Sequence, residues 1–179
     1  INWHKKYLKW WQKKLNISNY VIIWITFIKG IFIGLLIYHF FISTESHAQT
    51  LRIIDGDTIV INGEKIRFSG IDTPELKQTC VQGEQKVFCG MFAKKLLAEK
   101  IGNKIPKCIS EGKDKYGRIL AECFISEESL SRFLVRSGYA FAYRKYSKKF
   151  IKDEEYAKKI KIGMWAMDFE FPWDYRKNK

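Results

Sequence analysis

Two hydrophobic patterns divide the chain. Residues 21–42 form a mainly apolar run, rich in Ile, Phe and Leu, interrupted by a single charge, Lys29. Wound as a helix at about 1.5 Å per residue, such a run reaches about 33 Å, enough for a hydrocarbon layer of about 30 Å. A central lysine costs on the order of 2.5–3.5 kcal/mol, which the surrounding Leu, Ile and Phe outweigh. The pattern predicts a transmembrane helix over 21–42; a buried core helix is the competing reading. Residues 1–20 ahead of it carry Lys5, Lys6, Lys9, Lys13 and Lys14 with no acid, and Trp3, Trp10 and Trp11 between them. This is a basic cytoplasmic n-region, so the positive-inside rule sends everything after residue 42 across the membrane. Residues 43–49 read as a linker in which Ser46-His47-Ala48 has the small residues of a signal-peptidase site. The apolar run exceeds the 7–15 residues of an ordinary cleaved signal, which favours a retained anchor. The expectation is an extracytoplasmic domain, periplasmic or at the cell surface: membrane-anchored, or secreted where the chain is cut after Ala48.

From residue 50 the pattern shortens to a period of two. Residues 51–54, 58–61 and 64–68 are β-branched runs, and Asn62-Gly63 is a two-residue hairpin signal. Ala93, Leu96, Leu97 and Ile101 then recur at helical spacing within 90–101. Two further strands are expected around Cys108 and Cys123, flanking a turn at Asp114-Lys115-Tyr116-Gly117. Helices follow at 129–137, stopped by Gly138, and at 150–162. The tail from Trp165, with Phe169, Phe171 and Trp173, is aromatic enough to pack back on the domain. The expected class is α+β: a five-stranded OB-type barrel, which hides its sheet edges, with about three helices, occupying residues 50–179.

The 179 residues hold one ordinary core. The net charge of +13 draws acidic partners, nucleic acid or anionic membrane, and is shared between the parts. Residues 1–48 have six basic residues against Glu45; the remaining 26 basic residues face 18 acids. All four cysteines, Cys80, Cys89, Cys108 and Cys123, follow the apolar run, where oxidation is permitted. Cys108 and Cys123 are equidistant from a turn centred between Lys115 and Tyr116, so an antiparallel hairpin sets them opposite each other. That leaves Cys80 with Cys89. A zinc site is the rival, but no Cys-x-x-Cys and no neighbouring His supports it.

Three clusters carry polar chemistry: Asp55-Gly56-Asp57-Thr58; Arg67 with Asp72-Thr73-Pro74-Glu75; and Asp114-Lys115-Tyr116-Gly117-Arg118. Singly, each reads as a turn or a helix cap. An EF-hand at Asp55 fails because the fifth position is Ile59. In this order and spacing the clusters closely resemble the staphylococcal-nuclease family, whose signature is a DGDT strand, an R-x-x-x-I-D-T-P-E stretch and a D-K-Y-G-R turn. The resemblance covers about Thr50 to Trp165 and is closest to the exported bacterial branch, with its Thr-Cys…Cys-Gly insert and Pro-Trp near the end.

The resemblance implies an OB fold with three helices and a calcium-dependent endonuclease that hydrolyses DNA and RNA phosphodiesters, leaving 3′-phosphates. By motif, Asp57, Asp72 and the Thr73 carbonyl match the Ca²⁺ ligands, and Glu75 the residue that activates or orients water. Arg67 and Arg118 match the phosphate-clamping arginines. Lys115, Tyr116 and Tyr143 stand where the family holds a terminal phosphate and stacks a base, although Arg144-Lys145-Tyr146 lacks the second aromatic two positions on. Asp55 reads as a supporting carboxylate rather than a direct ligand. The residue types suit these roles independently: oxygen ligands fit a hard cation, and two guanidiniums supply fixed charge for a phosphoryl group. One geometric problem is set by the Asn62-Gly63 turn, which puts Arg67 opposite Thr58 and so on the other face from Asp57, requiring a bulge or a strong end twist. The expected assembly is a monomer. Competing readings are a non-catalytic OB-fold module holding single-stranded nucleic acid at the cell surface, and a membrane-anchored structural protein gripping anionic lipid.

Overall fold

The fold is that of a computed structural model, which describes residues 2–15, 18–43 and 49–179. The chain divides into two compact units, Ile1–Ala48 and Gln49–Lys179. The first contains α1 (Asn2–Leu15) and α2 (Asn19–Ser43). In α2 the stretch Ile23–Phe40 is long and apolar enough to cross a membrane, with a mean hydropathy of 1.8. A signal sequence would have the same character. The expected cleavage site at Ser46-His47-Ala48 lies outside the described residues.

The second unit opens with β1 (Leu51–Ile53), β2 (Thr58–Ile61) and β3 (Glu64–Phe68), joined as antiparallel neighbours. Asn62 and Gly63 both have positive φ, as the tight turn between β2 and β3 requires. Two-residue β4 (Ile71–Asp72) follows, then a hairpin of β5 (Thr79–Gln82) and β6 (Gln85–Phe88), then helix α3 (Cys89–Ile101). The hairpin β7 (Lys107–Lys113) and β8 (Ile119–Ile125) returns to the main sheet, where β8 runs parallel to β3. Short β9 (Glu128–Ser129) leads into α4 (Leu130–Arg136), capped by the Ser129 hydroxyl, which accepts from the Arg132 N–H at 3.2 Å. The chain ends with β10 (Phe141–Ala142), α5 (Ile151–Lys159), a 3-10 turn at Gly163–Ala166, and α6 (Pro172–Lys177).

This is a mixed α+β fold whose main sheet runs β1-β2-β3-β8-β7, with β9 added on β8. Five strands lie on that path, and β9 makes a sixth. Among the described residues no ladder joins β7 to β1, so a closed ring is not formed by backbone pairing. Pro106, just before β7, has no N–H to offer a neighbouring strand at that end. The core under the sheet is built from Ile59, Ile66, Phe68, Ala121, Ile125, Leu97, Ile101, Leu130 and Leu134, all buried. A second cluster gathers Phe141 and Met164 with Trp165, Phe169, Phe171 and Trp173, so the aromatic tail packs as its composition suggested. The tail is also tied by backbone, Val81 and Asp168 exchanging hydrogen bonds of 2.9 Å.

Cys108 and Cys123 are register partners and are bonded, as are Cys80 and Cys89, so both expected bridges form. The hairpin carrying the first is less regular than expected: a bulge between Ser110 and Gly112 shifts the register towards the turn.

Candidate active site

Gly56 sits where a side chain could not: a Cβ there would meet the Ala93 Cβ and Thr73 Oγ1 at 2.9 Å each. The loop before β2 is thereby drawn against α3 and the segment after β4, and it delivers Asp57 into the interior, 1% exposed. Asp55 holds the next turn of this loop by accepting the Asp57 N–H at 3.0 Å. Its carboxylate thereby supports the backbone of Asp57. Asp72 is brought alongside by the β4–β10 pairing, in which Asp72 faces Phe141, and is fully buried.

Arg67 joins the two acids. Its Nη1 donates to Asp57 Oδ1 and its Nη2 to Asp72 Oδ1 at 2.7 Å. The register of β2 and β3 is regular, Thr58 facing Arg67 through to Ile61 facing Glu64, with no bulge. The expected bulge or strong twist is not needed, because Asp57 lies one residue before β2 and is not bound by its alternation of faces. The Asp57 carbonyl still accepts from the Phe68 N–H at 2.8 Å, fixing the loop end to β3. Asp57 Oδ2 accepts from both the N–H and the hydroxyl of Thr73, each at 2.9 Å.

Burial pushes the Asp57 carboxyl above its ordinary value; Arg67 opposes this, the charge of Asp55 adds to it, and the Thr73 hydrogen bonds oppose it. Burial works against the charge of Arg67 too, but Asp57 and Asp72 hold its guanidinium above its ordinary value. The site is therefore a desolvated acid pair clamped by a permanent cation.

Glu75 follows on the rim, 43% exposed at its side chain. Its backbone N–H donates to Gln78 Oε1 at 3.2 Å, and Gly90 at the start of α3 packs against its carbonyl. Arg176 of α6, absent from the sequence-based site, contacts Asp72 Oδ2 at 2.6 Å and Glu75 Oε1 at 2.9 Å. The motif reading stops near Trp165; the signal available was the lone arginine after Pro172-Trp173 in a tail already expected to pack back.

Lys115, Tyr116 and Arg118 form a separate group on the β7–β8 turn. Asp114 Oδ1 accepts the N–H groups of Tyr116 and Arg118, and Asp114 Oδ2 accepts from Arg118 Nε at 2.7 Å. Gly117 has φ +78, which a side chain would disfavour. Arg118 lies two residues before Leu120, the β8 partner of Arg67, so the turn is carried by the strand next to the acid pair. No direct contact of Arg118 with Asp57, Asp72 or Glu75 is among those of the described residues. Tyr143 is fixed by its N–H to the Gly70 carbonyl at 3.0 Å and stacks on Trp173 with ring centroids 5.8 Å apart. Tyr146, three positions on, reaches Tyr143 at 4.9 Å and is 70% exposed, so an aromatic neighbour is present although the spacing differs.

Two buried carboxylates with all-oxygen donors suit a hard divalent cation chemically, and its charge would favour the ionised form of Asp57 that burial disfavours. Among the described residues no three acid, His or Cys side chains converge closely enough to hold a metal. The guanidiniums of Arg67 and Arg176 stand against the same oxygens instead. The donor set fits; the closed arrangement has those arginines as its counter-charges.

Residues 65–167 match the family of staphylococcal nuclease homologues. A thermonuclease of Staphylococcus hyicus is 30% identical over 135 residues, covering 69% of this chain and 78% of the relative. An uncharacterised endonuclease of Haemophilus influenzae is 29% identical over 129 residues, 68% of this chain and 67% of its own length. The endonuclease YncB of Bacillus subtilis is 35% identical over 130 residues, and the chain spans 59% of that relative. The match runs over more than half of the chain and includes Arg67, the acid pair's Asp72, Glu75 and the Asp114–Arg118 turn, so the chain belongs to the staphylococcal nuclease homologue family and is a nuclease.

Proposed function

We propose that the chain is a calcium-dependent endonuclease that cleaves DNA and RNA and leaves 3′-phosphate ends. The observation that carries this reading is the buried pair Asp57 and Asp72, held side by side by Arg67 with the half-exposed Glu75 at its edge. Asp57, Asp72 and the Thr73 carbonyl are the proposed holders of Ca²⁺, which when bound supplies positive charge to the phosphate. The Glu75 carboxylate accepts a proton from the attacking water. The water oxygen bonds to phosphorus, the bond from phosphorus to the 5′ oxygen breaks, and that oxygen takes up a proton, leaving the phosphate on the 3′ side. Arg67 and Arg118 meet the charge that grows on the phosphoryl oxygens, a contribution of about 10²–10³ in rate for one preorganised donor. Arg67 must then exchange carboxylate partners for phosphate oxygens. Lys115, Tyr116 and Tyr143 bind the flanking nucleotide by charge and sequence-tolerant stacking.

A module that only held single strands would gain nothing from burying two acids where phosphates approach. The five-strand path of the main sheet is read as the OB-type barrel. Residues 50–179 are read as the nuclease domain, monomeric, beyond a membrane anchored through α2; two disulfides suit an oxidising, extracytoplasmic compartment. The test is digestion of plasmid DNA and of RNA with calcium and with chelator, followed by end-group analysis. Cutting that survives chelation, or 5′-phosphate ends, would overturn the proposal.

A further inference from the structure

Arg176 lies beyond the segment that matches the family, in a six-residue helix at the end of the chain. Its guanidinium nevertheless reaches the centre of the acid cluster. Nη2 donates to Asp72 Oδ2 at 2.6 Å, and Nη1 donates to Glu75 Oε1 at 2.9 Å, with a longer contact to Asp72 Oδ1 at 3.3 Å. Asp72 is already fixed by burial, by the β10 pairing and by Arg67. Glu75 is different. Among the described residues Arg176 is the one partner of its carboxylate, and a half-exposed glutamate without it would be free to rotate. A planar fork with two donors at fixed spacing, one on an immobile acid and one on a mobile acid, transfers the position of the first to the second.

The helix that presents the fork is itself anchored. Trp173 stacks on Tyr143 and on Phe171, the latter at 4.7 Å, and Pro172 is buried. Buried Gln78 accepts the Glu75 N–H at its Oε1 and donates from its Nε2 to the Glu170 carbonyl at 2.7 Å, tying the Glu75 backbone to the start of the α6 segment. Backbone and side chain of Glu75 are thus both referred to the C-terminal tail.

We propose that Arg176 is a positioning residue of the nuclease reaction: anchored on Asp72, it aims the Glu75 carboxylate at the attacking water. The inference rests on the role given to Glu75 under Proposed function. Arg176 keeps its own proton throughout and touches neither the water nor the phosphate.

The test is a double-mutant cycle of Arg176→Gln and Glu75→Gln in the full chain, read as single-turnover cleavage of DNA at saturating DNA and calcium, together with KM and thermal melting. Arg176→Gln should slow the step by about 10–100-fold, as a displaced reacting group does, with KM nearly unchanged. In the Glu75→Gln background the same change should cost less than about twofold, because the group it positions is gone. Arg176→Lys, which can hold one acid but not bridge two, should recover only part of the rate. It also serves as the readable variant should Arg176→Gln fail to fold, with the same loss of effect expected beside Glu75→Gln. A wild-type rate for Arg176→Gln beside a slow Glu75→Gln overturns the inference alone, as does an undiminished Arg176 penalty in the double variant. A wild-type rate for Glu75→Gln overturns instead the role assigned to Glu75.

Discussion

Thr73 gives two hydrogen bonds to a single oxygen of Asp57, one from its backbone N–H and one from its hydroxyl, both 2.9 Å long. The acceptor is 1% exposed, so no water replaces a lost donor. Thr73→Val, which preserves shape and removes the hydroxyl, should destabilise the fold by about 1–3 kcal/mol, whereas Thr73→Ser should stay near wild type. Urea midpoints at unchanged slope measure both. A valine variant as stable as the parent would mean that the backbone N–H alone suffices.

On the role proposed for Arg118, with its charge matched to the transition state more than to the bound monoanion, Arg118→Ala should remove most cleavage while leaving DNA affinity nearly intact. The expected loss is about 10²–10³ in single-turnover rate. Asp57→Ala should differ by also raising the calcium needed for half-maximal rate. Titrating calcium for both variants separates the two roles, and an Arg118→Ala that cuts at the parent rate on saturating DNA returns the Asp114–Arg118 turn to a purely structural part.

Gly90, the second residue of α3, lies directly against the Glu75 backbone: an added Cβ would lie 2.0 Å from the Glu75 carbonyl oxygen and 2.5 Å from its carbon. Backbone cannot rotate away as a side chain can. Gly90→Ala should therefore cost about 1–3 kcal/mol in spite of alanine's better helix propensity, and should slow cleavage by shifting Glu75. Met91→Ala, at an exposed neighbour, is the control. Equal stability of the two variants would show that the close approach is relieved without effect.

Partial burial raises the Asp114 carboxyl, but hydrogen bonds from the Arg118 side chain and from the N–H groups of Arg118 and Tyr116, with the charge of Arg118, hold it below its ordinary 3.8. A lowered folded value means that the unfolded chain takes up its proton first as acid is added. The stabilisation by Asp114 is thus complete above about pH 3.8 and lost as pH falls through the folded value. The stability gap between the parent and Asp114→Asn should be flat near neutrality and shrink below that point. Denaturant titrations at several pH values check it; a gap that widens in acid has the wrong sign.

What the sequence made readable was what depends on local spacing. Cys108 and Cys123 could be paired because a tight turn fixes the distance on either side of it, even though the bulge near Ser110 and Gly112 displaces the inner register. Helix α3 was visible because Ala93, Leu97 and Ile101 repeat its period, and all three are buried. The β5–β6 hairpin escaped notice because its strands carry charged and amide residues around Gly83, with little alternation to detect. Two-residue β4 and β10 have no period at all, yet their pairing is what seats Asp72. The Asp57–Arg67 geometry was misjudged because strand alternation was extended one residue past the strand's true start. Arg176 was missed because its acids lie 101 and 104 residues away, and no local pattern encodes such a contact.

That last separation also sets a timetable. Chains are made from one end, so a contact between Asp72 and Arg176 is among the last of the site that can form. Asp57, Arg67 and Asp72 can meet while α6 is still inside the ribosome, but Glu75 then has no fork to hold it. On the assignment of Arg176 given above, a stalled or clipped product carries every motif residue and still cuts poorly. Competence to cleave is in this way tied to the arrival of α6 at a site whose other members are already in place.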